Sequence, residues 1–122
     1  MQNNHIFTGD DWESHFEELH LKLIDQGADG AISEMWSTKS VMFRFVDGDY
    51  DLSFHNTSQR QFAVLTGSVN IEVGNGTIKR LGSGSVLLAE DITGRGHRSS
   101  SIAGEPRTWL HSTGAQSVTY YF

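Results

Sequence analysis

Residues 60–90, RQFAVLTGSVNIEVGNGTIKRLGSGSVLLAE, carry the pattern that decides the fold class. Apolar and polar residues alternate over 69–73, which is typical of a strand with one apolar face. The glycines at 74 and 76 can adopt the positive φ angles of a tight hairpin turn. The apolar run at 86–89 suits a strand that is covered on both faces. The stretch therefore predicts an antiparallel hairpin followed by a buried strand.

Strand-like segments continue on both sides of this stretch. In VMFRF, residues 41–45, apolar side chains alternate with Met42 and Arg44, so one face of a strand is apolar. The chain has one proline and no convincing long helical pattern after residue 30. About eight short strands separated by glycine turns predict an all-β sandwich or barrel, in which closure removes exposed strand edges. The remaining strand candidates are residues 50–55, 62–65, 78–81, 108–111 and 117–122.

The beginning of the chain fits two patterns. Trp12, Phe16, Leu19 and Leu23 are at helical spacing, whereas the leucines at 19, 21 and 23 alternate at strand spacing. We expect a short turn or helix that leads into a strand near residues 18–24, followed by a loop over 25–40. The organisation predicted is one domain, 1–122, with an N-terminal extension and loop at 1–40 and a barrel at 41–122.

Composition narrows the possible functions. The 122-residue, 13.6 kDa chain is the size of one domain, and it has no cysteine, which excludes disulfides, iron-sulfur clusters and thiol catalysis. The net charge is −6; there are 11 acidic and three basic residues up to Asp51, and four acidic and six basic ones after it. A negative field repels phosphate backbones, so no nucleic-acid partner is expected. The second part could favour anionic ligands, although a more acidic solvated surface on the first part explains the asymmetry equally well.

No apolar run is long enough to span a bilayer, and the polar start MQNNH lacks the features of a signal peptide. We therefore expect a cytoplasmic protein with no membrane partner. The glycine pairs lack the third glycine and the following helix of a dinucleotide fingerprint, so they are interpreted as turns. No serine elbow or lysine-bearing phosphate loop is present either.

Two of the six histidines stand where chemistry is usual. His55 ends a predicted strand, and His97 follows a predicted strand and the loop EDITGRG. Strand ends and their loops are where a rigid sheet can aim two imidazoles at one point. The alternative is structural, with His55 paired to Asp51 or to backbone at the rim of the barrel and Arg60 in a surface ion pair.

The spacing of these histidines matches two motifs. Gly48, Ser53, His55, Arg60 and Gly67 stand at positions of a first motif that consists of a glycine, a His-x-His pair, a glutamate and a glycine. Gly84, His97 and Ser101 stand at the glycine, histidine and asparagine of a second. Over about residues 41–101 the sequence thus resembles the cupin superfamily, small double-stranded β-helix (jelly-roll) barrels with one internal site. Gln59–Gln61 and the loop 91–97 further resemble a group of small single-domain cupins without assigned reactions.

The resemblance implies a divalent metal ion, such as Fe, Mn, Ni or Zn, held by His55, His97 and Gln61. Arg60 occupies the glutamate position but cannot ligate a metal, since it has no acceptor lone pair. In a second hypothesis no metal binds. His55 and His97 are then the catalytic acid and base, and Arg44 or Arg60 binds a carboxylate or enolate of the substrate. In the metal hypothesis, Asp91 or Glu90 is expected to orient His97.

These observations favour a cupin-type small-molecule enzyme, an isomerase, lyase or dioxygenase acting on a small polar or anionic metabolite in the barrel. The alternative is a non-catalytic binding or sensor protein that uses the same cavity. Small barrels with an apolar outer face often associate, so we also expect a homodimer. Val118, Tyr120 and Phe122 lie on one side of the last predicted strand and could complete its interface.

Overall fold

The computed structural model describes residues 3–49 and 51–114. The fold is all-β, with 52% strand and 3% helix. The helical residues form one short 3-10 turn, Gly27–Asp29, between two strands. Within the described ranges no helix is long and apolar enough to cross a membrane. The strands, in chain order, are β1 Asn3–Thr8, β2 Ser14–Glu18, β3 Leu23–Asp25, β4 Ala31–Ser33, β5 Ser40–Val46, β6 Leu52–His55, β7 Gln61–Thr66, β8 Val69–Glu72, β9 Ile78–Leu81, β10 Val86–Glu90, β11 His97–Ser100 and β12 Arg107–Thr113.

The strands form two main sheets and a small one. The six-stranded sheet has the order β2-β1-β10-β7-β12-β5, the four-stranded sheet β6-β11-β8-β9, and the third contains β3 and β4. Neighbours pair antiparallel except β1 and β10, which are parallel. Within residues 3–49 and 51–114, none of the sheets closes into the predicted barrel.

The two main sheets pack face to face around one core. Alternation in β7 places Ala63 and Leu65 on the inner face, where they pack with Val69 and Ile71 of β8. The same alternation places Phe62 and Val64 on the outer face of the six-stranded sheet. The buried members of the core come from both sheets: Ile6, Val46, Ala63, Leu65, Val69, Ile71, Leu81, Leu87 and Trp109.

The strands predicted from residue 41 onward are confirmed as far as the described residues go. The 74–76 turn joins β8 to β9, with the Val73 amide donating to the Thr77 carbonyl and Gly76 at φ 87°. In β10 the side chains of Leu87, Leu88 and Ala89 are all buried, as expected for a strand covered on both faces. The strand predicted at 117–122 lies outside the described residues.

The structure differs from the prediction at the beginning of the chain. No helix forms there; β1 and β2 make a hairpin that is part of the six-stranded sheet, and residues 25–40 include β4. Phe16 packs in the core, whereas Leu19, three residues on, packs in a separate cluster on the outer face. One helical face would have kept the two side chains together, so extended pairing of β2 with β1 overrides the local helical spacing.

The apolar face of β5 is the outer one. Phe43 and Phe45 are 82% and 67% exposed, while Arg44 between them points inward to the space between the sheets. Leu110 of β12 lies opposite Phe43, and Trp109 lies opposite Arg44. At this end of the sheet the inner face therefore carries polar groups and the outer face carries apolar ones.

Candidate functional site

A cavity of about 70 Å³ lies between the two main sheets. Leu52, Ile71, Leu87 and Trp109 form apolar parts of its wall. Its size, well below the roughly 300–1,000 Å³ of sites for drug-sized ligands, limits the occupant to a molecule of a few carbon atoms. Nitrogen-bearing side chains make up most of the polar wall: Arg44, His55, Gln61, His97, Arg107 and His111.

The backbone brings the two sequence-predicted histidines together. His97 on β11 is the register partner of His55 on β6, and their ring centroids are 4.9 Å apart. Gly96, at φ 82°, makes this approach possible, because a Cβ at that position would collide with the His55 carbonyl. The fold thus fixes the spacing of the two imidazoles through main-chain pairing.

Of the two acids expected to orient His97, Asp91 is the one that does so. The His97 Nδ1–H donates to Asp91 Oδ2 at 2.6 Å, and the Ser14 hydroxyl donates to the same oxygen at 2.7 Å. Asp91 and Ser14 are fully buried. Because Nδ1 is committed to Asp91, His97 presents Nε2 to the cavity, as in an aspartate-oriented catalytic base.

A backbone carbonyl orients the ring of His55. Its Nδ1–H donates to the Ser53 carbonyl at 2.9 Å. The nitrogen left for the cavity is again Nε2. Of the two pairings that the structural alternative allowed, the one to a backbone group is therefore formed, whereas Asp51 accepts from the Ser101 amide instead. Two imidazoles therefore face the same space, each held by its Nδ1.

A third histidine, His111, completes the wall from β12. It is 7% exposed, and within residues 3–49 and 51–114 neither of its ring nitrogens has a hydrogen-bond partner. Burial, assisted by the positive charge of Arg44, lowers the pKa of His111 below its usual value. A buried polar ring without a partner costs free energy unless a ligand or water satisfies it, so His111 marks where an occupant would bind.

Sequence reasoning missed His111 and Arg107 as site residues. The strand at 108–111 was predicted, and the period-two alternation places Arg107, Trp109 and His111 on one face. The pattern does not indicate that this face borders a cavity. Arg107 also donates from Nη1 to the Ser101 hydroxyl at 3.0 Å, which ties β12 to the end of β11.

The structure separates Gln61 from Arg60. Gln61 lines the cavity, as does Arg44, whereas Arg60 lies outside it and donates from Nε to Glu90 at 2.7 Å. The structure thus brings together His55, His97, Gln61 and Arg44 but not Arg60. Arg60 instead forms the ion pair that the structural alternative predicts.

Glu90 belongs to a cluster on the outer face, away from the cavity. His5 contacts Glu90 Oε1 at 2.7 Å and Glu17 Oε1 at 2.5 Å, one with each ring nitrogen. Burial alone would lower the pKa of His5, but the hydrogen bonds to Glu90 and Glu17 raise it above its usual value. Burial likewise favours neutral Glu90, yet hydrogen bonds from His5 and Arg60 outweigh it and lower the pKa of Glu90.

The residues implied as metal ligands do not fit a tightly bound divalent cation. His55 and His97 offer imidazole nitrogens, but the remaining donor, Gln61, is a neutral amide. No group of three or more His, Cys, Asp or Glu side chains in the part described is placed to hold a metal. Catalytic metal sites usually have three strong protein ligands, and the Arg44 guanidinium in the same wall would repel a cation.

The same wall suits an anion. Two guanidinium groups and three imidazoles line the cavity, and no acidic side chain from residues 3–49 or 51–114 does so. Guanidinium groups bind carboxylates through paired, charge-assisted hydrogen bonds. A protein with net charge −6 thus has an interior site of the opposite sign.

Comparison of the chain with protein-family models and with curated proteins gives no match. The function proposed below is therefore argued from the cavity and its side chains.

Proposed function

We propose that the protein is a small-molecule enzyme that moves a proton on a small carboxylate bound in the cavity, as an isomerase or a lyase. The observation that carries this proposal is the Ser14–Asp91–His97 hydrogen-bond chain, which ends in an imidazole directed at the cavity beside His55. Two buried groups are committed to holding one imidazole, an arrangement typical of acid-base sites.

In the proposed reaction, His97 Nε2 takes a proton from the carbon next to the substrate's carbonyl or carboxylate. The electron pair of that C–H bond moves to the oxygen as an enolate, which a guanidinium such as that of Arg44 stabilises. Asp91 stabilises the imidazolium formed on His97. Protonated His55 then donates its proton either to a neighbouring carbon, completing an isomerisation, or to a departing group, completing an elimination.

The same proposal assigns the chain to cupin-like jelly rolls. Its support is that two facing β-sheets enclose one site and that the histidines of the two motifs, His55 and His97, meet there. The positive φ of Gly84, 83°, suits the turn that opens the second motif. These features agree with the motif resemblance over about residues 41–101.

Exchange of substrate protons with solvent tests the proton transfer without knowledge of the final product. The protein is incubated in D₂O with a panel of two- to five-carbon 2-oxo and 2-hydroxy acids, and loss of the exchangeable C–H signal is followed by proton NMR. We expect exchange of at least one acid with the wild type, and loss of about 10²-fold or more in its rate with His97→Asn or His55→Asn.

His15→Asn is the matched control, because His15 is a histidine outside the cavity that pairs with exposed Asp11. Exchange that survives in both cavity variants, or is lost equally in the control, would contradict the proposal. Folding of each variant is checked by circular dichroism, so that loss of structure is not mistaken for loss of chemistry.

The second candidate function is non-catalytic binding or sensing of the same small anion. His111 favours it, since a buried ring without a partner needs a ligand but no reaction. Thermal shift separates the two: a ligand at ten times its Kd stabilises the fold by about 1.4 kcal/mol. Stabilisation by an acid that shows no exchange, reduced in His111→Phe, would favour the binding function.

A metal-dependent reaction, such as that of a dioxygenase, is the remaining alternative. It predicts near-stoichiometric Fe, Mn, Ni or Zn in the purified, untagged protein and loss of that metal in both His55→Ala and His97→Ala. That result would replace the acid-base proposal, since the histidines would then serve as ligands.

A further inference from the structure

The residues that the structure describes leave the outer face of the six-stranded sheet uncovered at one end. Val41, Phe43 and Phe45 of β5 are 58%, 82% and 67% exposed. Leu110 of β12 is the register partner of both Phe43 and Val64, so the apolar row continues across three strands. We call this surface the β5–β12–β7 face. Its described outward residues are all uncharged: Val41, Phe43, Phe45, Phe62, Val64, Thr66, Thr108, Leu110 and Ser112.

The chain covers the other end of the same face with its own residues. Leu19, Leu21 and Trp36 pack on Leu88 of β10 and Phe62 of β7. Trp36 meets the Phe62 ring edge-on, with centroids 4.9 Å apart. The segment that covers this half therefore stops short of Phe43 and Leu110.

Between Leu21 and Trp36 the chain forms the β3–β4 hairpin, which is exposed along almost its whole length. Leu23, Ile24 and Ile32 are each about half exposed, and Met35 is 97% exposed. The hairpin has three residue pairs and joins neither main sheet. An isolated two-stranded hairpin is marginally stable in water, so this one needs a surface to pack against.

We propose that the β5–β12–β7 face is the interface with a second copy of this chain, whose β3–β4 hairpin packs over it. One chain supplies both uncovered apolar surfaces, so a two-fold axis lets each copy cover the other and closes the assembly at two. The uncharged face suits a protein surface of the same kind, and it offers no group to recognise a nucleic acid or a charged peptide.

The position of β5 supports the same occupant. Among the described strands β5 is the last at its end of the six-stranded sheet, and it is seven residues long with exposed aromatic side chains. A long apolar edge strand invites uncontrolled pairing unless something protects it. A hairpin packed over the face covers the exposed aromatic side chains of β5 in both copies at once. This inference does not depend on the proposed reaction, because the face lies on the opposite side of the sheet from the cavity.

Sedimentation velocity of the full chain tests the proposal. We expect the wild type to sediment at twice the chain mass of 13.6 kDa. Phe43→Ser and Ile32→Ser should each weaken dimerisation by about tenfold or more, since exposed aromatic and aliphatic anchors carry most of the binding energy. Ile78→Ser is the matched control, because Ile78 is 58% exposed but lies on β9 of the four-stranded sheet.

Cross-linking gives a second readout, which does not depend on weakening the dimer. The chain has no cysteine, so Ile32→Cys and Leu110→Cys can be introduced in separate chains and mixed under oxidising conditions. We expect a disulfide between the two chains on a non-reducing gel, and none when Ile78→Cys replaces Ile32→Cys. With both cysteines in one chain, a disulfide closed within a single chain would show that the hairpin covers its own face and would overturn the proposal.

Two other outcomes would overturn it. A wild type that stays monomeric at high micromolar concentration leaves the face without a second copy. A monomer that binds a hydrophobic dye more strongly after removal of residues 115–122 would assign the face to that segment of the same chain.

Discussion

At the β5–β12 end of the six-stranded sheet, polar side chains lie on the inner face and apolar ones on the outer face. This is the reverse of the arrangement in most soluble proteins. The inner face presents Arg44 and His111 to a cavity, whereas the outer face presents Phe43 and Leu110 to solvent. Soluble sheets normally bury their apolar side. Such a reversed arrangement is stabilised when a ligand binds to the inner face and a protein surface covers the outer face. The proposed site and the proposed interface thus both follow from one alternating pattern.

The two faces also hold buried histidines in opposite states. His5, on the outer face, has a carboxylate at each ring nitrogen. His111, on the inner face, has no partner at either nitrogen within the described ranges. A histidine with both nitrogens satisfied is a structural link, and one with neither satisfied is a binding position. The comparison explains why composition alone could not rank the six histidines.

The largest contrast is expected between two neighbours in β7. Leu65 is fully buried on the inner face, and Val64 is 40% exposed on the outer face. Leu65→Ala should lower the free energy of unfolding by about 2–5 kcal/mol, through lost burial and the cavity left behind. Val64→Ala should lower it by under about 1 kcal/mol, because Val64 buries less apolar area on folding than Leu65 does. Urea unfolding measures both, and equal losses would contradict the assignment of faces.

Asp91→Asn should have the next largest effect. The amide oxygen can still accept from both Ser14 and His97, but it lacks the carboxylate's charge, and its NH₂ group would be buried where Oδ1 has no partner within the described residues, so the free energy of unfolding should fall by about 1.5–3 kcal/mol. The proposed proton exchange should fall with it, because a neutral amide does not stabilise the imidazolium that forms on His97. Asp51→Asn, which changes an exposed carboxylate outside the cavity, is the control. Unchanged exchange in Asp91→Asn would contradict the positioning role.

The two histidines should give opposite dependences of stability on pH. The pKa of His5 is raised above its usual 6.5, so its stabilisation is fully present below pH 6.5 and is lost as pH rises through the folded-state pKa. The pKa of His111 is lowered, so the folded state is favoured above pH 6.5, and that advantage is lost as pH falls toward the lower folded-state pKa.

Urea midpoints measured across this range should therefore separate the variants. His5→Gln should flatten the loss of stability on the alkaline side, and His111→Gln should flatten the loss on the acidic side. If both variants keep the wild-type profile, other groups control the pH dependence and the contrast between the faces does not extend to proton binding.

The smallest effect is expected for Arg60→Gln. Its guanidinium pairs with Glu90, but the side chain is 42% exposed, so solvent screens the pair and the free energy of unfolding should change by under about 1 kcal/mol. Because Arg60 lies outside the cavity, thermal shifts caused by small carboxylates should stay at the wild-type value. Arg44→Gln, which removes a cavity cation, should reduce them. Equal reductions in both variants would contradict the separation of Arg60 from the site.

Local patterns predicted most strands from residue 41 onward because period-two alternation and glycine turns are written in neighbouring residues, but they did not predict β11, which begins at His97. They also identified His55 and His97, and they named Asp91 as one of two acids that could orient His97. They could not choose between Arg60 and Gln61, since a one-residue change of register exchanges the two faces. His111 was missed because only the packing of two sheets shows that its face borders a cavity. The strand β1 was missed because its parallel partner, β10, is distant in sequence.

That distance has a consequence for synthesis of the chain. β1 lies between β2 and β10, and its partner strand begins only at Val86. At about 5–20 residues per second, the ribosome needs roughly 4–16 s to add the intervening stretch. During that time Ile6 and Phe16 have no β10 to pack beside. The β1–β2 hairpin is thus among the last pieces to be fixed in the native sheet although it is made well before β10, and it is where a chaperone would have the longest opportunity to bind.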